Sequence, residues 1–350
     1  MCCSAIDLFC GIGGLTHGLR KSGIPVVAGF DIDASCAYAY ERNNNATFIT
    51  ADISCLSASS VNKYFIANST KILVGCAPCQ PFSKYTQRYR KNGHKGNKWR
   101  LLDSFARIVS ELHPEIVSME NVPELAAQSV FNDFVNELKR NAYHVYWKIV
   151  FCPDYDVPQS RRRLVLLASR LGNIHLIKPF RTPDSYLTVR DTIAKLPVLK
   201  AGEMNPEDVL HCATHLSEIN LKRIQQSRQG GTWRDWDETL KLKCHKKKSG
   251  HTYSSVYGRM EWDKPAPTIT TQFYGYGNGR FGHPEQDRAL SLREGAMLQS
   301  FPQNYKFVEP GKRISKKELG VHIGNAVPVN LGKAIGESIK IHLQEMKENE

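Results

Sequence analysis

Short apolar runs alternate with amphipathic stretches over the first 170 residues of the chain. The runs predict strands at 4–9, 26–31, 72–76, 116–120 and 163–169. Between them, apolar residues recur every three or four positions and predict helices at 14–22, 35–43, 103–112 and 130–141. Strands that alternate with helices in this way are typical of an α/β fold, in which helices cover both faces of a parallel sheet.

This alternation ends near position 190. The stretch 195–264 is polar and contains three tryptophans and the basic run KKK at 246–248. Apolar residues at helical spacing return at 331–346, where Pro328 just precedes the predicted helix. We therefore predict two domains. The large one is discontinuous and comprises 1–190 plus 315–350, and the smaller one comprises 191–314.

A glycine-rich turn, DLFCGIGGL at 7–15, follows the first predicted strand and opens the first helix. Open parallel sheets bind nucleotide-like ligands at this position. Glycines at 11, 13 and 14 would let the backbone approach such a ligand closely. A dinucleotide fingerprint has its third glycine where this chain has Thr16, which counts against a pyrophosphate-bearing cofactor such as NAD.

Two carboxylates follow the next strands along the chain. Asp31 lies twenty residues after Gly11 at the end of the second predicted strand, the usual place for an acid that binds ribose hydroxyls. Asp52 falls where the third strand should end. With the glycines, these acids indicate an adenosine moiety. The alternative is a tight structural turn and two solvated acids.

A pair of cysteines, Cys76 and Cys79, lies in the segment GCAPCQPFS after the fourth predicted strand. A zinc site would need a second ligand pair, but Cys152, Cys212 and Cys244 are isolated, so we predict no metal. Prolines on both sides of Cys79 argue against a redox pair at a helix N-terminus. The remaining interpretation is a nucleophile at Cys79, whereas an inert buried thiol fits Cys76 better.

The chain carries 47 lysines and arginines against 34 acidic residues, a formal charge of +13. Such a balance favours a polyanion, either nucleic acid or an anionic membrane face. A stretch free of acidic residues follows Cys79 and suits a mobile loop that grips phosphates, although charge runs are often only solvated surface. Its basic residues are Lys84, Arg88, Arg90, Lys91, Lys95, Lys98 and Arg100.

Together these motifs resemble the DNA (cytosine-5)-methyltransferases, which use S-adenosyl-L-methionine. They occur in the family's order over nearly the whole chain. The resemblance implies a Rossmann-like methyltransferase fold, a doubly wound sheet with a second, smaller target-recognition domain and a C-terminal helix that returns to the large domain. The motifs that carry it are DLFCGIGGL, Asp31, Asp52, PCQPFS at 78–83, ENV at 120–122, QSRRR at 159–163, RDTI at 190–193 and GNAV at 324–327.

The resemblance also implies a mechanism. The thiolate of Cys79 adds to carbon 6 of cytosine, so that carbon 5 can accept a methyl group. Glu120 contacts ring nitrogen 3 and the exocyclic amine, Arg163 holds the carbonyl oxygen, and Arg161 and Gln159 support the loop. The target base must leave the duplex to be reached. Taken singly, Glu120 could be a helix-capping acid, and the arginines could be an ordinary basic edge.

A set of cofactor-binding residues follows from the same resemblance, with S-adenosyl-L-homocysteine as the product. Taken alone, the asparagine of GNAV could simply supply turn chemistry before Pro328. The implied residues are Phe9, Gly11, Gly13, Gly14, Asp31, Ile32, Asp52, Ile53, Pro78, Asn325 and Ala326.

Double-stranded DNA is the expected partner, read by the smaller domain. Two alternatives are open: a transfer RNA methyltransferase, whose Cys-Phe-Thr element is not found here, and a catalytically silent DNA-binding protein. Arginine and glutamine suit guanine and adenine edges. The candidate base-reading residues are Arg228, Arg234, Lys241, Lys243, Arg259, Thr270, Thr271, Gln272 and Tyr274.

No apolar run approaches the roughly 20 residues of a membrane-spanning helix, and the N-terminus lacks a signal-peptide pattern. Ten dispersed cysteines favour free thiols in a reducing compartment. We therefore expect a cytoplasmic monomer that binds no membrane. The short stretch before Asp7 leads us to expect a compact prokaryotic or phage modification enzyme, with a cognate restriction endonuclease as a candidate partner.

Overall fold

The computed structural model describes residues 2–78, 100–247, 250 and 254–348. The chain divides into two compact units. The first unit comprises Met1–Phe151, Arg162–Phe180 and Val327–Glu350, and the second comprises Cys152–Arg161 and Arg181–Ala326.

Strands and helices are numbered here in chain order. The strands are β1 (Cys3–Leu8), β2 (Val26–Asp31), β3 (Thr47–Thr50), β4 (Thr70–Gly75), β5 (Ile116–Asn121), β6 (His144–Phe151), β7 (Gln159–Ser160), β8 (Arg162–Ser169) and β9 (Ala266–Pro267). The helices are α1 (Gly14–Lys21), α2 (Ala37–Asn44), α3 (Ala58–Asn62), α4 (Arg100–Leu112), α5 (Ser129–Arg140), α6 (Val189–Ile193), α7 (Glu218–Gln226), α8 (Leu292–Leu298), α9 (Lys316–Asn325) and α10 (Val329–Glu348). None of the described helices is long and apolar enough to cross a membrane.

A seven-stranded sheet forms the centre of the first unit, in the order β3-β2-β1-β4-β5-β8-β6. The chain winds outward from β1 in one direction through β2 and β3, and in the other through β4 and β5, so the sheet is doubly wound as predicted. It is not wholly parallel, because β8 runs antiparallel to both β5 and β6. The sequence pattern did not predict β6, because this edge strand has many exposed residues and no regular alternation.

The sheet brings the ends of several strands to one edge. Leu8 pairs with both Phe30 and Gly75, and Gly75 pairs with Met119, so the segments after β1, β2, β4 and β5 leave the sheet side by side. Because β8 is antiparallel, its first residues lie at this same edge, where Asn121 pairs with Leu164. The central strands are buried on both faces, which explains their nearly continuous apolar runs.

Helices α1 and α10 approach each other through glycines. A Cβ on Gly18 would lie against the carbonyl oxygen of Val329 and 2.5 Å from the amide nitrogen of Lys333. Gly332 makes a tight but less severe approach, since its Cβ would lie 3.0 Å from the Leu15 carbonyl oxygen. The predicted C-terminal helix is therefore α10, and it packs on the first helix of the first unit.

An aromatic core and a buried ion pair organise the second unit. Trp233, Trp236 and Tyr276 pack with Ile224 in the core. The Arg288 guanidinium donates to the two carboxylate oxygens of Glu294 at 2.8 and 2.7 Å, and both side chains are buried. Such a pair is tolerated in the interior because the hydrogen bonds satisfy both charges. The short strand β7 pairs with β9 in this unit.

The boundaries of the units differ from the predicted domains. Residues 152–161, 181–190 and 315–326 were assigned to the large domain, but they belong to the second unit. The first of these segments contains β7 and the buried Gln159, whose side chain bonds to residues of the second unit. The last contains α9, where a Cβ on Gly320 would collide with the Tyr274 ring.

The substitution Gly18→Ala tests the contact between α1 and α10. At an ordinary helix position this change stabilises by about 1 kcal/mol, whereas here the added methyl group meets backbone atoms that cannot rotate away. We expect the free energy of unfolding to fall by about 2–3 kcal/mol, measured by urea denaturation. The exposed Lys21→Ala on the same helix is the control and should change stability by less than about 0.5 kcal/mol. Equal stability of the two variants would contradict the close packing.

Candidate active site

The glycine-rich turn after β1 has a left-handed backbone at three positions, with φ of 61° at Phe9, 48° at Gly11 and 84° at Gly13. Glycine adopts this conformation without steric cost, which explains the residue type at 11 and 13. The Gly11 amide donates to Asp31 Oδ2 at 2.8 Å, so the turn is tied to the end of β2. Gly14 is the first residue of α1.

The structure explains why a threonine occupies position 16, which the glycine motif did not reveal. Its hydroxyl donates to Asp7 Oδ2 at 2.7 Å, and Asp7 is buried at the end of β1. The pKa of Asp7 is raised to about 7, chiefly by burial. The hydrogen bond from Thr16 lowers this pKa, whereas the nearby Asp31 carboxylate raises it. Asp7 Oδ1 is buried with no hydrogen-bond partner among the described residues.

The predicted ribose and adenine residues follow β2 and β3. Asp31 accepts two backbone amides, from Gly11 and from Asp33 at 3.0 Å. Ile32 is 66% exposed, unusual for an isoleucine, whereas Ile53 is buried. Asp52 is exposed beyond β3, and its Oδ1 accepts the Ser54 amide at 2.8 Å. Hydrogen bonds from Ser54 lower the Asp52 pKa, so this acid is ionised at neutral pH.

Three side chains meet where β4, β5 and β8 reach the common edge. Glu120 is 2% exposed. Its Oε1 lies 2.9 Å from Arg163 Nε in an ion pair, and its Oε2 accepts a hydrogen bond from Cys76 Sγ at 3.0 Å. Burial raises the pKa of the Cys76 thiol well above its usual range, and the neighbouring Glu120 charge raises it further. Cys76, which is half-buried, is therefore a protonated thiol at neutral pH, and its lack of reactivity stays a prediction.

The chain that leads to Cys79 is held beside this cluster. Asn121 Nδ2 donates to the Ala77 carbonyl oxygen at 2.9 Å, which ties the segment after β4 to the end of β5. Pro78 follows and is exposed. Cys79 lies outside the described residues, as does the basic stretch up to Lys98. Arg100, the last of the predicted basic residues, begins α4 and donates to Ser54 Oγ at 3.0 Å.

The remaining predicted residues belong to the second unit. Gln159 is fully buried: its amide donates to the Leu298 carbonyl oxygen at 2.9 Å and accepts from the Ile269 amide at 3.0 Å. Arg161, also buried, donates to the Ile269 carbonyl oxygen at 3.0 Å. Both side chains therefore form hydrogen bonds with the backbone of their own unit. Asn325 ends α9, and Ala326 caps it. The cofactor contacts of these last two residues stay predictions.

One of the predicted base-reading residues is not available for DNA. Arg259 is buried and donates to the carbonyl oxygens of Ile224, His283 and Gln286 and to Asp287, so its guanidinium is committed inside the unit. Lys241 bonds to Glu238 at 2.7 Å. By contrast, the Arg228 side chain is 83% exposed. The remaining exposed candidates are Arg234, Lys243, Thr270 and Gln272.

The sequence pattern did not predict the contacts that Asp7, Cys76 and Asn121 make in this arrangement. Asn121 follows Glu120 directly in the motif ENV, so its proximity could have been anticipated. The bond from Cys76 to Glu120 joins residues 44 positions apart and needs the lateral order of β4 and β5, which a sequence pattern does not carry.

Comparison with known proteins relates the chain to one family. Residues 3–341 match the family model of the C-5 cytosine-specific DNA methylases. The chain is 53% identical over 350 residues to the type II methylase M.HgiDII of Herpetosiphon aurantiacus, covering 99% of this chain and 98% of that protein. It is 30% identical to the type II methyltransferase M1.HphI of Haemophilus parahaemolyticus, and the match covers 95% of this chain and 86% of that protein.

A solved structure shares the fold. It is a prophage-encoded protein of E. coli, assigned as a DNA modification methyltransferase, with a TM-score of 0.75 at 21% identity over 98% of this chain and 99% of that one. The Rossmann-like methyltransferase fold predicted from the motifs is thereby confirmed. The chain belongs to the C-5 cytosine-specific DNA methylase family, that is, to the DNA (cytosine-5)-methyltransferases.

The raised pKa of Asp7 predicts a pH dependence of stability. The unfolded carboxyl group ionises near pH 4 and the folded one near pH 7. Stability contributed by the neutral carboxyl is therefore fully present below pH 4 and lost as the pH rises through 7. Relative to wild type without ligand, Asp7→Asn should gain about 4 kcal/mol in free energy of unfolding between pH 4 and 8, at ~1.36 kcal/mol per pH unit.

Urea denaturation at a series of pH values measures this difference. Asp52→Asn is the control, because Asp52 is exposed and its pKa is shifted downward, so it should show no such gain. A difference between Asp7→Asn and wild type that does not change with pH would contradict the assignment.

Proposed function

We propose that the chain transfers a methyl group from S-adenosyl-L-methionine to carbon 5 of cytosine in duplex DNA, through a covalent adduct at Cys79 and a flipped-out base. The observation that carries the proposal is the buried Glu120 carboxylate, paired with Arg163 and placed beside the chain segment that enters Pro78 and Cys79. Membership of the family supports the reaction, and this cluster supports the roles of the residues.

A nucleophile is needed because carbon 5 of cytosine is unreactive by itself. When the Cys79 thiolate adds to carbon 6, the ring becomes enamine-like and carbon 5 can attack an electrophilic methyl group. The proton on carbon 5 must then leave before the thiolate is expelled and the ring double bond returns. Cys76 does not compete for this role, since its raised pKa keeps the thiol protonated.

Glu120 and Arg163 have the chemistry to hold the ring during this addition. The Glu120 carboxylate is an acceptor for the exocyclic amine, and a proton shared with ring nitrogen 3 would stabilise electron density displaced there. Arg163 uses Nε toward Glu120 and Nη1 toward the Arg162 carbonyl oxygen at 2.8 Å. Its guanidinium has five donors in all, so it can also bind the cytosine carbonyl oxygen.

Residues of the first unit fit an adenosine-bearing sulfonium cofactor. The left-handed turn at Phe9, Gly11 and Gly13 leaves the backbone open, and the exposed Ile32 beside Asp31 offers apolar surface to an adenine ring. Asp7 Oδ1, buried without a hydrogen-bond partner among the described residues, suits a nearby positive charge. The cofactor supplies the methyl group. Further residues proposed to hold it are Gly14, Asp52, Ile53 and Pro78.

The biological role is proposed by analogy with the relatives. M.HgiDII is named a type II methylase and M1.HphI a type II methyltransferase, which supports a part in a restriction-modification system. A cognate endonuclease that cuts the same sequence would be the protein partner. We further propose that the enzyme acts as a cytoplasmic monomer, because each transfer needs one flipped base.

Methyl transfer from tritiated S-adenosyl-L-methionine onto duplex DNA and onto transfer RNA tests the function. We expect label in duplex DNA, and we expect Cys79→Ala to lose transfer by at least about 1,000-fold while it still binds DNA. The exposed Cys244→Ala is the matched control and should retain wild-type transfer. Label in transfer RNA alone, or an active Cys79→Ala with an inactive Cys76→Ala, would overturn the assignment.

A further inference from the structure

We propose that Cys76 is a positioning residue for methyl transfer: its thiol, with Arg163, holds the Glu120 carboxylate in the orientation that receives cytosine. The inference rests on the proposed function, because it assumes that Glu120 binds the base. It adds a role for a cysteine that is not the nucleophile.

The geometry places Glu120 between two contacts from different strands. Arg163 comes from β8 on one side of β5 and lies at Oε1, while Cys76 follows β4 on the other side and donates to Oε2. The two oxygens of one carboxylate are thus held by groups that the sheet itself places. With 2% of Glu120 exposed, water contributes little to its orientation.

Two contacts are needed because the glutamate side chain does not fix its own carboxylate plane. The terminal torsion of glutamate is broad and roughly two-fold, unlike the staggered torsions nearer the backbone. The ion pair at Oε1 is not a hydrogen bond, so by itself it constrains the carboxylate plane only weakly, and both oxygens could turn together about the terminal bond. The second contact, a directional bond from Cys76, removes this freedom before the base arrives and so reduces the ordering that binding requires.

The thiol acts as a donor in this bond. A carboxylate is an acceptor only, and the pKa of Cys76 lies well above its usual range through burial and the Glu120 charge, so the sulfur keeps its proton at neutral pH. The remaining charged groups that act on the thiol are Arg163 and, more weakly, Asp7. A thiolate here would repel Glu120 instead of orienting it.

Glu120 Oε2 can still bind the substrate while it accepts the hydrogen bond from the Cys76 thiol. A carboxylate oxygen has two lone pairs, so Oε2 can accept the thiol and the exocyclic amine of cytosine together. Oε1 already faces a guanidinium. Oε1 makes no hydrogen bond with the described residues, so both oxygens keep acceptor capacity for the base, and Cys76 fixes the plane in which they lie.

Three substitutions at position 76 separate positioning from packing. Cys76→Ala and Cys76→Val remove the donor, with Val retaining the bulk, whereas Cys76→Ser keeps a donor. We expect the kcat for methyl transfer to duplex DNA to fall about ten-fold in Cys76→Ala and Cys76→Val, and less than about three-fold in Cys76→Ser. The KM for DNA should stay within about two-fold in all three, since phosphate contacts supply most of the affinity.

Cys244→Ala, an exposed thiol in the second unit, is the control for loss of a cysteine, and thermal unfolding verifies that each variant is folded. Wild-type kcat in both apolar variants, an equal loss in Cys76→Ser, or a change confined to KM would overturn the positioning role while leaving the proposed function intact. A wild-type protein that methylates no duplex DNA would overturn the proposed function and, with it, this role.

Discussion

The buried carboxylate of Glu120 is the charge on which the candidate site depends. An ionised group removed from water costs several kcal/mol unless it is paired and hydrogen-bonded. From the strands on either side of β5, Arg163 forms an ion pair at Oε1 and Cys76 donates a hydrogen bond to Oε2, while Oε1 has no hydrogen-bond partner among the described residues. The antiparallel direction of β8 is essential to this arrangement: a parallel strand would carry its first residues to the opposite edge of the sheet. Reversal of one strand therefore brings the beginning of β8 to the end of β5.

Much of the fold could be predicted from the sequence, because alternating apolar runs and helical periodicity report directly on burial. The glycine turn, Asp31 and Glu120 were all predicted at strand ends, and the strands confirm those positions. The direction of β8 could not be predicted, since a run buried on both faces has the same pattern in either direction. The edge strand β6 could not be predicted either, because its many exposed residues leave no regular apolar pattern.

The chemistry of the site was predictable as motifs but not as contacts. Thr16 was read as a departure from a dinucleotide fingerprint, and its contact with Asp7 could not be inferred without the geometry of the turn. Cys76 was interpreted only as an inert thiol, whereas it bonds to Glu120, a residue of the neighbouring strand. Lateral contacts of this kind depend on strand order and register, whereas sequence patterns report only which positions are buried.

The central claim is that Cys79, not Cys76, attacks the cytosine that Glu120 and Arg163 hold. Duplex DNA in which 5-fluorocytosine replaces cytosine should trap the adduct, since the fluorine on carbon 5 cannot leave as a proton. After incubation with S-adenosyl-L-methionine and digestion with trypsin, fragment-ion mass spectrometry of the peptide 72–84 distinguishes the two cysteines. We predict the nucleotide on Cys79. An adduct on Cys76, or no adduct from protein that methylates ordinary duplex DNA, would contradict it.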